Sequence, residues 1–509
     1  MTQEEYNVSL QATRILHTKI IVKNYDFSDF GSLEGVVVGF PSFTIDSESN
    51  IRRTCSISLV PTSQTFEIKS GSAIWLDKYI QVYVGIEDIT TREPVYTNMG
   101  IYLIDNPERV YSATDNTLSF KLVDLMSKLT GMRNGYLEGM SYIIPAGSNV
   151  RNAMIATLDE FGFDKYDIDE CPYEVPQDIN ISSGGTAYDI LSQLLNIADN
   201  YEMYFDVDGV FHYHKIPMNA NEGEIVAYHN FWNNVLINYN VSTDFESVKN
   251  IVEVYGQTHT IANYSDAFID TTGTTLWLNL PQITAYTDGL LVGFTTPNDI
   301  QINKTYFLAI NELGGRSIID DKGNYPTYQP NTYYVCKYVA NGNYFRFLGH
   351  ITPYAIAQEN NVASPFYVEG SIGKIRIVLQ GDNYDNLYTD LQCQDCAEYE
   401  LYKRCLIQNS ITITCVPIYW LDVNDLIEVT LPNKYGQDET MICLVKSINT
   451  SDTQTISLMN VPANILVEDF LDIDSTNIVQ NKVITIDSTN IVQNKVITQE
   501  FNKVYELLG

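Results

Sequence analysis

Apolar and polar residues alternate with a period of two along much of this chain, the pattern of half-buried strands. Residues 16–23, 42–46, 55–60, 80–86 and 101–104 read this way, and Leu118-Ser119-Phe120-Lys121-Leu122 leads into a short helix near Met126. Their spacers carry Asp, Asn, Gly, Ser and Pro, which favour turns. Residues 15–125 therefore read as a small barrel or sandwich.

Between residues 147 and 215 the period twice lengthens toward 3.6. Ser148-Asn149 precede a helical run over 150–158 that stops at Phe161-Gly162. Thr186 can cap a second helix, in which Ala187, Ile190, Leu191, Leu194, Leu195 and Ala198 form one apolar stripe. Two strands then flank the Asp-Gly turn of Asp206-Val207-Asp208-Gly209, which completes a helix–hairpin α+β unit. Strands return at 235–239 and 250–255, and a Gly/Asn/Thr-rich β segment over 270–350 reads as an insertion. After a strand at 373–379 come a helix near 386–405 and strands at 410–415, 426–431, 441–448 and 455–459. The terminus repeats itself: the thirteen residues 473–485 recur unchanged at 486–498. Each unit offers only Ile478, Val479, Val483 and Ile484, or their copies Ile491, Val492, Val496 and Ile497, as an apolar stripe. One chain cannot bury so thin a stripe, so the expectation is association between chains, with Val504, Leu507 and Leu508 closing the bundle.

At 509 residues, 45% of them hydrophobic and 36 of them Tyr, the chain is long enough for three or more cores. Its 63 acidic residues face only 30 basic ones, for a net charge of −33. A duplex-gripping protein needs clustered Lys and Arg to displace counterions, and no such cluster occurs, which argues against stable DNA binding. Met1 is followed by Thr2-Gln3-Glu4-Glu5 rather than a basic and then apolar leader, so no signal peptide is expected. No window is apolar for long enough to span a bilayer as a helix. The eight scattered Cys read as reduced thiols, in keeping with assembly in a cytoplasm.

Candidate chemistry is sparse. Cys393 and Cys396 have the spacing of half a zinc site, but they fall inside a helix and share one face with Ala397 and Leu401, so burial is expected. His212 and His214 alternate on a strand and point one way, yet no third ligand lies nearby in sequence; exposed strand imidazoles are expected. Asp164, Asp167, Asp169 and Glu170 lack the glycine of a calcium-binding loop and read as a solvated acidic loop. Nucleophile-elbow, phosphate-loop and zinc-protease patterns do not occur. On this reading the chain has no catalytic, cofactor or metal residue and is not an enzyme. Glycoside hydrolysis needs only two well-placed carboxylates, which 63 acids could supply.

Three stretches carry a resemblance. Residues 397–404, then Ser410-Ile411-Thr412-Ile413-Thr414, then the run from Val416 to Glu428 with Pro417, Trp420, Leu421, Asp422 and Asn424, resemble the second tube-like barrel of bacteriophage baseplate hub proteins. Ser49-Asn50-Ile51-Arg52-Arg53-Thr54-Cys55 and the 186–214 helix–hairpin extend that resemblance over most of 15–260 and 365–465. Residues 286–294, 309–315 and 344–349 look like a small β module of tail fibres, with Glu312 where that module carries glycine. The terminal repeat is similar to fibre segments, with Ile478 and Ile491 at the usual proline. The resemblance implies a mainly β chain with α+β parts. It would hold a first tube-like barrel (1–128), a helix–hairpin unit (129–224), a second barrel (225–268 and 362–466), an inserted fibre-type module (269–361) and a trimerisation tail (467–509). It also implies a homotrimeric adaptor at the tail tip, between the tail tube or distal tail protein, the tape-measure protein and baseplate, spike or fibre proteins. Phage DNA would pass in transit through a channel whose acidic wall does not hold it, and the host surface would be within reach. A receptor-binding or fibre-type tip protein and a tail-associated wall hydrolase are the alternative readings.

Overall fold

In the computed structural model, residues 1–461 are described apart from 12, 34–35, 62–66, 113–115, 140, 172, 177, 199, 218–219, 406–407 and 433–437. The terminal repeat, with Ile478, Val479, Val483, Ile484, Ile491, Val492, Val496, Ile497, Val504, Leu507 and Leu508, lies outside the described residues.

A fourteen-stranded sheet, antiparallel apart from one short pairing, joins the N-terminal strands to those that end at Val461. From one edge its order runs Asp29–Ser32, Leu16–Lys23, Tyr79–Glu87, Pro94–Tyr111, Asn116–Val123, Arg53–Val60 and Ser42–Asp46. It continues through Asp438–Thr450, Gln454–Val461 and Gln408–Cys415 to Leu236–Asp244 at the other edge. Alternation explains these strands: Arg53–Val60 buries every second side chain, with Cys55 and Ile57 at 2% exposure. The N- and C-terminal halves meet where Ser42–Asp46 pairs with Asp438–Thr450, Ile45 opposite Ile448 and Phe43 opposite Thr450. Each half has its own core. Phe43, Ile57, Val82 and Phe120 belong to the first, and Ile45, Ile413, Val429 and Ile456 to the second. The seam strand thus feeds both cores from one face.

The middle of the chain folds as expected into helices and a hairpin. Asn149 caps Val150–Glu160 through the Asn152 amide at 2.9 Å, and Thr186 with Asp189 forms a reciprocal cap on Ala187–Leu195. The stripe holds, with Ala187, Ile190, Leu191 and Leu194 all fully buried. Tyr201–Phe205 and Phe211–Lys215 are antiparallel, and Tyr166–Ile168 joins the latter in parallel. The hairpin loop is longer than a two-residue Asp-Gly turn. The Asp206 amide bonds to the Val210 carbonyl at 2.9 Å, leaving three residues between them, with Gly209 at φ +77° supplying the left-handed step.

Eight short strands between Tyr264 and Gly349 form a second sheet. Its two end strands, Tyr264–Asp266 and Phe268–Ile269, are separated by one residue, so the sheet curls into a nearly closed barrel around Phe294, Phe345 and Tyr328. This ladder begins within the stretch 225–268. Asn311 takes the left-handed conformation at φ 51°, and its side chain bonds Leu280 and Ile283. Glu312 is not among the positive-φ residues, so the glycine of the fibre pattern is not needed there. A three-stranded sheet of Tyr354–Gln358, Ile251–Tyr255 and Arg376–Leu379 packs on helix Asp390–Arg404.

Two helices were not foreseen. Gln3–Ser9 is closed by a Thr2–Glu5 capping box. His229–Val235 stands where strand was expected; it buries Phe231, Trp232 and Val235 before the chain turns directly into Leu236–Asp244.

Candidate functional site

Two adjacent arginines organise a buried polar cluster. Arg52 and Arg53 open the strand Arg53–Val60 and are 5% and 2% exposed, so each guanidinium requires partners to remain charged. Arg53 forms an ion pair with Asp422 and reaches the Phe205 carbonyl at 3.4 Å, while its backbone N–H donates to Asp124 at 2.8 Å. Arg52 pairs with Glu202, donates to the Val423 carbonyl at 2.8 Å and lies 3.7 Å from the Tyr204 ring centroid. The N-terminal half of the large sheet, the helix–hairpin unit and the C-terminal half therefore meet at two consecutive residues.

The Trp420 motif supplies the third side of this junction. The Asp422 amide donates to Asp425 at 2.8 Å, closing a turn in which Asn424 sits at φ 65°. Short polar Asn tolerates this region. Its amide side chain donates to Glu202 at 2.6 Å and its backbone N–H to the Val445 carbonyl at 2.7 Å. Trp420 donates from Nε1 to Ser9 Oγ at 3.0 Å, the Pro417 carbonyl accepts from Arg14, and Leu421 is 2% exposed in the C-terminal core. The five motif residues thus tie the N-terminal helix, the seam and the hairpin together.

Charge is unevenly matched here. Two guanidiniums face four carboxyls: Glu202, Asp422, Asp124 and Asp425. Burial pushes the Asp422 carboxyl up, but Arg53 and Arg52 outweigh it and hold it below the usual range. Burial raises Asp124 to about 6 despite its bonds from the Arg53 and Met126 amides. Burial and the adjacent Asp422 charge raise Asp425 to about 7. Every carboxyl is bonded to a guanidinium, an amide or both, which suits a joint better than an acid–base pair aimed at a substrate.

The other sequence candidates are dispersed. Cys393 and Cys396 are 0% and 2% exposed and pack with Val252, Val254, Ala397 and Leu401. They are not part of any ligand grouping among the described residues. Asp164 and Glu170 lie apart from the two histidines' contacts, Glu170 reaching Arg151 at 3.7 Å. His212 and His214, by contrast, do have a third group: the parallel pairing sets Asp167 opposite His212. Sequence separation hid it. A polar cleft of about 330 Å³ is lined by Glu174 of the helix–hairpin unit and by Asp288, Asp320, Lys337, Tyr344 and Arg346 of the barrel.

The edge strand Leu236–Asp244 has an unusual face. Tyr239 and Val241 lie opposite Ile413 and Ile411, which are fully buried, yet they are 37% and 42% exposed. Cross-strand partners share a face, so the core surface continues onto this edge and stops uncovered.

A family model described as Domain of unknown function (DUF5048) matches residues 363–463, the part with helix Asp390–Arg404 and the Trp420 motif. No curated protein matches the chain. Solved structures match over most of it. The 43 kDa tail protein of prophage MuSo2 from Shewanella oneidensis is 11% identical with TM-score 0.45, over 86% of this chain and 98% of that one. A tail protein from Neisseria meningitidis MC58 is 10% identical with TM-score 0.47, over 89% and 98%. Prophage tail protein gp18 from Listeria monocytogenes EGD-e is 10% identical with TM-score 0.43, over 89% and 97%. At this distance no residue of this chain takes a role from them.

Proposed function

We propose that this chain is a structural, non-enzymatic hub of a phage-type tail baseplate, assembled in the host cytoplasm and resident at the tail tip. The observation that carries the reading is the fourteen-stranded sheet with two cores and one hydrogen-bonded seam. That arrangement supports a reading as two side-by-side tube-like barrels in one chain, with the Trp420 resemblance falling in the second of them. Three such chains would set six barrel units around a channel and match a sixfold tube to a threefold tip. The uncovered core face at Tyr239 and Val241 gives the edge at which neighbouring copies would meet. Tube or distal tail protein and tape-measure protein would bind one end of the ring, and spike or fibre proteins the other. The net charge of −33 suits a wall that DNA passes without sticking.

The nearly closed barrel and its polar cleft favour a second role in the same particle, contact with a host-surface glycan. Light scattering of the purified chain and electron microscopy of the particle test the main reading. A mass three times the 57.6 kDa of one chain, with threefold density at the tip, is expected. A stable monomer that never joins a particle would refute it.

A further inference from the structure

His212 and His214 project from one face of Phe211–Lys215, two residues apart, and Tyr166–Ile168 runs beside that strand in parallel. His212 Nδ1 and His214 Nε2 are 2.9 Å apart. Asp167 Oδ2 is 3.3 Å from His214 Nε2 and 3.8 Å from His212 Nδ1. Ligand atoms held about 2.1 Å from one tetrahedral or octahedral ion sit roughly 3.0–3.4 Å from each other; the 2.9 and 3.3 Å sides match this, and the 3.8 Å side would close by a small turn of the exposed Asp167 side chain. From these side chains we propose that Asp167, His212 and His214 bind a borderline divalent transition-metal ion of the zinc class.

The outer contacts supply an independent argument. His212 Nε2 is 3.0 Å from Asp206 Oδ2, and His214 Nδ1 is 3.1 Å from Asp169 Oδ2. A neutral imidazole carries one N–H, and a carboxylate partner fixes it on the nitrogen facing away from the site. The remaining nitrogens then point lone pairs at each other and at a third carboxylate. That arrangement is repulsive unless a proton or a metal ion lies between them, and it is the outer-shell pattern that prepares histidines as ligands. Two imidazoles with one carboxylate suit zinc, nickel, cobalt or ferrous iron better than calcium or magnesium, which prefer oxygen alone.

The site is open on one side, because the Asp167 side chain is 67% exposed while His212 and His214 are 16% and 29% exposed. Water would complete the coordination. Its place in the fold indicates a staple: Asp167 lies on a three-residue strand, and the ion would lock that strand to the hairpin whose Glu202 and Tyr204 hold Arg52. The ion would therefore brace the junction from the same face, since His214 pairs across the hairpin with Glu202 and His212 stacks on Tyr204.

The test uses the full chain, stripped with a chelator and then titrated with Zn2+ by calorimetry and with Co2+ by absorption and X-ray absorption spectroscopy. One ion per chain is expected, with two imidazole scatterers around cobalt and a thermal midpoint raised by metal and lowered again by chelator. His214→Gln should weaken binding at least 100-fold, and Asp169→Asn or Asp206→Asn 10–100-fold, the usual effect of losing an outer-shell partner. Cobalt that stays in an all-oxygen environment in the wild-type chain overturns the proposal regardless of how the variants fold. Binding of equal strength in folded His214→Gln protein overturns it too, since the ion would then sit on some other acidic patch.

Discussion

Replacing Asp425 by Asn should stabilise the chain at pH 8 and leave it unchanged near pH 4. Asp425 is the surplus acid of the junction: it accepts from the Asp422 amide at 2.8 Å, and the arginines beside it are already matched by Asp422 and Glu202. Its carboxyl is raised to about 7 by burial and by the neighbouring Asp422 charge, whereas the unfolded chain titrates it near 3.8. A raised acid binds more protons folded than unfolded, so wild-type stability falls as pH rises from about 4 to 7 and is flat above. Three pH units of difference correspond to roughly 4 kcal/mol at most, and relaxation or water entry would halve that to roughly 2 kcal/mol. Asn keeps the shape and the acceptor oxygen without the charge. Asp124, raised to about 6, slopes the same way, and Asp422, held low, loses its stabilisation only as pH falls through its depressed range. Both remain in the variant, so subtracting the two profiles isolates Asp425 together with its coupling to Asp422. Urea unfolding followed by tryptophan fluorescence at pH 4, 6 and 8 reads the difference, since Trp232 and Trp420 lie in the C-terminal core or against it. A gap that does not change with pH, or a less stable variant at pH 8, refutes the reasoning.

Other perturbations follow from single contacts. Thr389→Ala removes the cap oxygen that accepts from the Gln392 amide and the hydroxyl that donates to Asp321, so a loss of roughly 1–2 kcal/mol is expected in thermal or urea unfolding. Val241→Lys places a charge on the uncovered edge; analytical ultracentrifugation should show at least tenfold weaker self-association with an unchanged circular dichroism spectrum. Removing residues 467–509 should reduce the oligomer or its attachment to the tip, read by light scattering and by incorporation into particles.

Much of the fold was legible because the hydrophobic period carried it. The Ala187–Leu195 stripe and the alternation of Arg53–Val60 are local signals, and the chain obeys them. His229–Val235 was not legible: it has three Asn or His residues in its first five and only two turns, so neither propensity nor period marks it, and burial of Phe231 and Trp232 decides it. Gln3–Ser9 was hidden differently. Its Thr2–Glu5 box was visible, but with so little apolar sequence behind it the acidic run bore only on the question of a signal peptide. At the junction, Trp420, Asp422, Arg52 and Arg53 all fell in stretches marked by resemblance, but nothing in sequence showed that the arginines' partners lie 150 and 369 residues away. The Asp167 ligand was missed for the same reason, because a parallel strand pair joins segments that sequence spacing keeps apart.

The cores also set what can be cut from the chain. Residues 1–128 read in sequence as a barrel of their own, yet Tyr79, Ile101, Leu103, Val123, Leu125 and Met126 belong to the core of the helix–hairpin unit, packed with Met154, Ile190 and Phe205. Each buried side chain of this kind is worth roughly 1.5–3 kcal/mol, so exposing six removes roughly 9–18 kcal/mol, and still most of that after allowing for a compact denatured state. A domain holds only about 5–15 kcal/mol in all. Cutting at 128 also strips Ser42–Asp46 of its pairing with Asp438–Thr450 and opens an edge strand. The fragment 1–128 should therefore be insoluble, or soluble without fixed tertiary structure, as near-ultraviolet circular dichroism would report. A cooperative unfolding transition from that fragment alone would mean that the first half is self-sufficient, and that the junction at Arg52 and Arg53 joins finished parts instead of completing them.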